Sequence, residues 1–324
     1  METVSEFWRR FLILSGKTIV LKFRKRMNKI LPLLLLVIAQ LADSCMNNSN
    51  NINNELKEWK LQGSVKSLSE TDYSKNGKFK AWLLLSPEGN ILEQSTFNSD
   101  GSLIRKWKYT YNSTNQKVTR SCYVVKDSLS GILYYTYNQN GKIINEKLLN
   151  TSGKLVSEID YKYDAMQNEV EKIFKDEKDK IQIVVKNKFD QKNKLIEELQ
   201  LDSTNHQNGK NSYTYNTEGL NVETTSLSIQ DNPVKRITYT FLDTKQVGEV
   251  RSYNSENQLT TKTIYNYDKQ GNMTIKQSFT PLGEMETKLS FTYTYDKNNN
   301  WTMRYEYLND KVDDVISRKF EYYK

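Results

Sequence analysis

The chain has one histidine, two cysteines and four prolines in 324 residues. A single histidine excludes a histidine-rich zinc site, and a solvated turn position for that one residue argues against a histidine-based catalytic triad. That residue, His206, sits in the turn-like segment DSTNHQNG (202–209), where an exposed side chain is expected. Two cysteines are too few for a disulfide framework. No glycine-rich phosphate loop is present, and helical periodicity is nearly absent. EVEKIFKDEKDKIQIVV (169–185) has some helical spacing, but Asp179 stands in it as a turn former. So few prolines leave little to interrupt a long regular array.

The formal charge of +8 is unevenly placed. Residues 1–45 hold eight basic side chains against Glu2, Glu6 and Asp43, which leaves 39 basic and 36 acidic groups from residue 46 onward. A nearly balanced body argues against a nucleic-acid partner. The basic excess lies largely in KFRKRMNK (22–29), ahead of the apolar run ILPLLLLVIAQLA (30–42) and Cys45. A charged segment, a short apolar core and a small residue before the break describe an export signal. The core falls short of the roughly 20 apolar residues that a membrane span needs.

Leu41-Ala42-Asp43-Ser44-Cys45 resembles the lipobox of bacterial lipoproteins, with Asp43 departing from the usual small or apolar residue. The resemblance implies lipidation of Cys45 and an exported protein, lipid-anchored in the bacterial cell envelope at the outer membrane or cell surface. Ordinary secretion and a retained signal anchor are the competing readings. Met27 begins a complete signal unaided, so the expected start is Met27; otherwise FWRRFLIL (7–14) forms a short amphipathic segment at a membrane surface. The leader is thus residues 1–45, followed by the Asn-rich tether MNNSNNINN (46–54) and a single domain over 55–324. Cys122 is then the one thiol of the body, and a Cys45–Cys122 bridge is the alternative.

That body is repetitive. Stepping by 26 residues meets Leu85, Tyr111, Tyr137, Tyr163, Phe189, Tyr215, Phe241 and Tyr267. Two residues before these anchors stand Tyr109, Tyr135, Tyr161, Tyr213, Tyr239 and Tyr265, with Leu83 and Asn187 completing the row. Four residues after come Gly89, Asn115, Gly141, Gln167, Asn193, Gly219, Lys245 and Gly271. Each unit splits again, with a second turn position at Gly101, Asp127, Gly153, Asp179, Asn205, Asp231, Asn257 and Gly283. Glycine, asparagine and aspartate tolerate the positive φ of tight turns. Between turns the period is two, and 26 is even, so every copy returns its aromatics to the same face. The expectation is an all-β fold: a long antiparallel meander of 26-residue hairpin repeats with about eighteen strands. So long a sheet is expected to be strongly twisted, coiled or partly closed, with tyrosines on its concave side. Charges in EWKLQGSVKSL (58–68) and SRKFEYYK (317–324) are expected to blunt its two edges.

Tyr265-Asn-Tyr267-Asp268-Lys-Gln-Gly271, Tyr161-Lys-Tyr163-Asp164 and Tyr293-Thr-Tyr295-Asp296 resemble the YxYDxxG core of YD-repeat, or Rhs-type, proteins. The likeness runs over about 60–324, and LQGSVKSLSETDYSKNG (61–77) is similar to the opening hairpin of exported Rhs-like lipoproteins. It implies a β-sheet array at the cell surface, with carbohydrate binding among the implied roles. The period of 26 is longer than the family's usual unit, and most copies lack the arginine and glycine that precede the core. With the last repeat closing the sequence, no toxin cargo is expected.

The tyrosine rows are the candidate ligand-stacking surface, since a flat ring with a polar tip suits a sugar ring. The bland reading makes the same rings core. Glu158, Glu171, Glu197 and Glu198 could form carboxylate pairs, but they fall at periodic polar positions beside lysines. Asp164, Asp268 and Asp296 suggest turn-amide acceptors more than calcium ligands, and Cys122 reads as a packed side chain. No metal, no cofactor and no catalytic residues are expected. The reading is a non-catalytic, surface-anchored protein that binds polysaccharide or another envelope component. The alternative is a structural scaffold docking a protein along an edge strand or the concave face.

Overall fold

The computed structural model describes residues 59–73 and 79–324. The leader, Cys45 and the tether lie outside the described residues. The described residues form one compact unit.

Twenty strands follow one another. They begin with β1 (Val65–Asp72), β2 (Phe79–Leu85), β3 (Ile91–Phe97), β4 (Leu103–Tyr111) and β5 (Lys117–Val124). Next come β6 (Ser128–Tyr137), β7 (Ile143–Asn150), β8 (Leu155–Tyr163), β9 (Glu169–Asp176) and β10 (Ile181–Phe189). The third group is β11 (Leu195–Asp202), β12 (Gln207–Tyr215), β13 (Asn221–Leu227), β14 (Pro233–Phe241) and β15 (Val247–Tyr253). The chain ends with β16 (Leu259–Tyr267), β17 (Met273–Phe279), β18 (Met285–Tyr295), β19 (Trp301–Leu308) and β20 (Lys311–Tyr322). The segment with helical spacing is the β9–β10 hairpin, turning at Asp176–Lys180 as Asp179 requires.

Each strand pairs antiparallel with its successor, and β1 also pairs antiparallel with β20. The meander therefore closes into a barrel. Both estimates about the ends need correction. There are twenty strands rather than eighteen, because the tyrosine period fades where β1 and β20 form. The end charges do not blunt free edges; they meet across the seam. Lys66 lies 3.9 Å from Glu321, and Arg318 donates to Glu70 at 3.0 Å where both are buried. Asn300 and Gln62 exchange hydrogen bonds at 2.8 Å beside them.

The turns explain why the ladder repeats. All sixteen positions read as turn closers have positive φ, from Gly89 (88°) to Gly283 (86°), including Lys245 (62°) and Gln167 (64°). In the β4–β5 turn, the Asn115 N–H donates to the Asn112 carbonyl and the Asn112 N–H to that of Gln116. Asn112 Oδ1 accepts from the Thr114 and Gln116 amides at 3.0 and 2.8 Å. Asp164, Asp268 and Asp296 hold turn amides in the same way. The register slips by one residue beside each such corner, as between Thr110 and Tyr111. This is a tight turn closed by a one-residue bulge, which bends and twists the strand and so favours curling into a ring.

One face of the wall carries the tyrosine rows, and the other carries cross-strand ion pairs such as Lys147–Glu158, Lys162–Glu171 and Lys188–Glu197. Of the most deeply buried side chains, Val65, Leu68, Leu83, Leu85, Glu146 and Ile159 lie on the tyrosine face, and only Ser95 does not. The tyrosine face is thus the inner one. Twenty strands about 4.8 Å apart, tilted near 40°, give a round barrel a backbone diameter of about 40 Å. Two facing layers of tyrosine cannot fill that width. Accordingly most inner residues are half-buried rather than buried. The tightest packing is local, where Leu61, Val65, Leu68, Leu83, Leu85 and Ile91 meet near the seam with Trp59, Tyr109, Phe320 and Tyr322 against them.

Candidate functional site

The two tyrosine rows differ in what they do. In the anchor row each hydroxyl reaches back to a backbone carbonyl twenty residues earlier, at the start of the neighbouring strand. Tyr111 donates to Ile91, Tyr137 to Lys117, Tyr163 to Ile143, Tyr215 to Leu195 and Tyr267 to Val247, at 2.6–3.0 Å. Tyr293 continues the series at Met273 (2.8 Å), still 26 residues on. Where the series has Phe189, the Glu169 carbonyl that a tyrosine would reach is taken instead by Asn187 Nδ2 at 3.0 Å. These hydroxyls satisfy backbone acceptors where a bulge has disturbed the ladder, so the anchor row clamps the barrel.

Tyr109, Tyr135, Tyr161, Tyr213, Tyr239 and Tyr265 stand deeper in the wall. Tyr161 is only 8% exposed and donates to Glu146 Oε1 at 2.7 Å. The other five are half-buried. Burial pushes the Tyr135, Tyr163 and Tyr213 phenols well above their ordinary range. Several rings already carry a cation on one face. Lys117 lies 4.7 Å from the Tyr109 centroid, Lys172 5.2 Å from Tyr161, Lys194 5.7 Å from Tyr215 and Lys276 6.0 Å from Tyr265. Tyr213 and Tyr239 have no such cation among the described residues, and their strand-opposite neighbours are Thr224 and Val250.

The sequence reading missed the charge inside the barrel. Between the tyrosine strands, on the same face, run Arg120, Glu146, Lys172, Glu198, Thr224, Val250 and Lys276, opposite Tyr109, Tyr135, Tyr161, Asn187, Tyr213, Tyr239 and Tyr265. These residues also recur every 26 positions, so the same stepping at another phase would have found them. Glu198 is therefore corrected from polar-face carboxylate to inner-wall residue. Glu197, its neighbour, does sit on the ion-paired face between Lys188 and Lys210, which hold its carboxyl below the usual range. Glu146 is 1% exposed, and burial raises its carboxyl despite Tyr161, Arg120 and Lys172.

His206 is exposed and contacts Thr204 Oγ1 through Nδ1 at 2.7 Å. Cys122 is a free, half-buried thiol on the inner wall whose pKa burial raises. No cluster of metal-ligating side chains occurs among the described residues. No described helix is long and apolar enough to cross a membrane.

No family model matches this sequence, and no curated protein does. Among solved structures, similarity extends to a Photorhabdus luminescens Tc holotoxin pore at 13% identity and a TM-score of 0.40. That match covers 70% of this chain, which spans only 14% of the toxin chain. A porin-like protein from Bacteroides uniformis matches at 9% identity and a TM-score of 0.38, over 80% of this chain and 99% of the other. A second, from Bacteroides vulgatus, matches at 10% identity and 0.29, over 80% and 98%. The repeated β-hairpin architecture rests on the strand pairing described above and not on these likenesses.

Proposed function

We propose that the protein is a non-catalytic, exported lipoprotein of the Rhs-like type, anchored at Cys45, whose barrel wall binds polysaccharide. The observation that carries this reading is the inner wall itself. Half-buried tyrosine rings alternate there with charged and hydroxyl side chains around the closed ring of strands. Apolar faces bordered by polar groups suit a sugar polymer. The scaffold alternative now rests on the inner face alone, since β1 and β20 pair with each other and offer no strand edge.

Tyr213 and Tyr239 are the rings to test, because they are half-buried and do not clamp a backbone carbonyl. Residues 55–324 would be screened on an array of bacterial and host polysaccharides beside a Tyr213→Ala/Tyr239→Ala variant. Saturable binding by the parent, lost in a variant that keeps its melting transition, supports the reading. Absence of binding to every polysaccharide overturns it and leaves the scaffold.

A further inference from the structure

The inner wall varies around the ring in access and in charge. On β7 and β8 it is closed, with Glu146 and Ile159 each 1% exposed. On β4 and β5 the inner positions are half-buried from end to end. This half-buried stretch holds Arg105, Lys117 and Arg120 beside Trp107 and Tyr109; neither strand has a carboxylate on its inner face, and Arg120 and Lys117 outnumber the one buried carboxyl on β7, Glu146, on which both act. The two guanidinium carbons lie 5.6 Å (Arg105) and 4.7 Å (Arg120) from the Trp107 ring centroid. Lys117 lies over Tyr109. A guanidinium resting on an indole keeps planar N–H edges suited to a carboxylate or sulfate, and the ring beneath holds it in place. The seam on β19, β20 and β1 contrasts in sign, for there Glu70, Asp72, Glu306 and Asp314 outnumber Arg304 and Arg318.

We propose that the β4–β5 stretch is a subsite for an acidic polysaccharide, with Arg105, Arg120 and Lys117 receiving its carboxylate or sulfate groups. This rests on the polysaccharide reading above and narrows it to a ligand class. Neutral polymers lack the group these cations would receive, and the seam carboxylates repel a polyanion, so it is directed toward β4 and β5.

The test measures binding of polygalacturonate and of neutral dextran to residues 55–324 by titration calorimetry. Arg105→Gln/Arg120→Gln is compared with Lys106→Gln/Lys108→Gln, which removes the same charge from the outer face of β4. Melting transitions verify folding, and Arg105→Gln alone serves if the inner pair does not fold. We expect polygalacturonate to bind, and the inner variants to weaken it about tenfold or more, as loss of a hydrogen bond to a charged group does. The outer pair should change it less than twofold. Dextran binding as tightly as polygalacturonate overturns the subsite while leaving the polysaccharide reading intact. An equal loss in inner and outer variants overturns it as unspecific charge attraction. A single-stranded oligonucleotide bound equally tightly, with the same dependence on Arg105, overturns it in favour of a general polyanion groove. If neither polymer binds and the wider array is also silent, the subsite and the polysaccharide reading fall together.

Discussion

Asn187 shows what the anchor tyrosines are for. Its amide occupies the Glu169 carbonyl at the one repeat where phenylalanine, Phe189, stands at the tyrosine position and an amide stands two residues before it. Tyr137→Phe removes the donor to the Lys117 carbonyl and should cost about 1 kcal/mol, rising toward about 3 if water cannot reach the orphaned oxygen. Asn187→Ala should cost a similar amount by the same logic. Adding Phe189→Tyr to Asn187→Ala should recover most of that loss, because the new hydroxyl reaches the vacated carbonyl. Tyr239→Phe should be nearly neutral, since its hydroxyl has no partner among the described residues. Urea unfolding of the five proteins checks all of this. Rescue that fails, or a Tyr239→Phe as damaging as Tyr137→Phe, would show that the hydroxyls do not act by clamping carbonyls.

At the scale of the hairpin, the turn residue sets the local cost. A non-glycine residue in the left-handed region carries about 1–2 kcal/mol of strain. Lys245, at φ 62°, bears it with no turn-closing role for its side chain beyond an exposed contact with Glu218 at 3.4 Å. Lys245→Gly should therefore stabilise the barrel by about 1 kcal/mol, since an exposed ion pair contributes little. Gly153→Ala should destabilise by a comparable amount, purely through the backbone, because a Cβ there meets nothing within 4 Å. Thermal melts of the two variants would move in opposite directions. This strict demand on φ is also why the turns were legible in the sequence: few residue types tolerate the position, so Gly, Asn and Asp mark it. The inner charges were harder to see. Adjacent residues such as Glu197 and Glu198 look alike in a string of letters, yet a strand sends them to opposite faces.

Closure is a property of the whole barrel, and it was the least legible feature. Twist and bulge make a long meander curl, but whether strand one meets strand twenty depends on small angles summed around the ring. Carboxylates meet at that seam. Asp314 is pushed up to about 6, first by burial and then by its hydrogen bond to Asp72, with Glu306 adding to the rise. An acid whose folded pKa exceeds its unfolded value of about 3.9 binds its proton more tightly when folded. Its contribution to stability is therefore present in acid, falls as pH rises from about 4 to about 6, and is absent above. The depressed carboxyls of Asp160, Asp164 and Asp202 act in the opposite sense and weaken the fold as pH drops through their folded pKa values. Asp314→Asn should raise the melting temperature at pH 8 and do little at pH 4; a gain of equal size at both would deny the seam its titration. The same closure brings the ends of the ladder together, with the Tyr323 amide donating to the Ser64 carbonyl at 2.9 Å. A circular permutant joining Lys324 to residue 59 by a short linker, and opened in the exposed turn between Gly153 and Lys154, keeps every strand pair and loses only that one connection. It should fold with an unchanged far-ultraviolet spectrum and melt cooperatively. A chain ending at Asn309 instead loses β20 and bares the edges of β1 and β19 together, so it should self-associate through them. If the permutant aggregates while the shortened chain stays monomeric, the barrel does not close in solution.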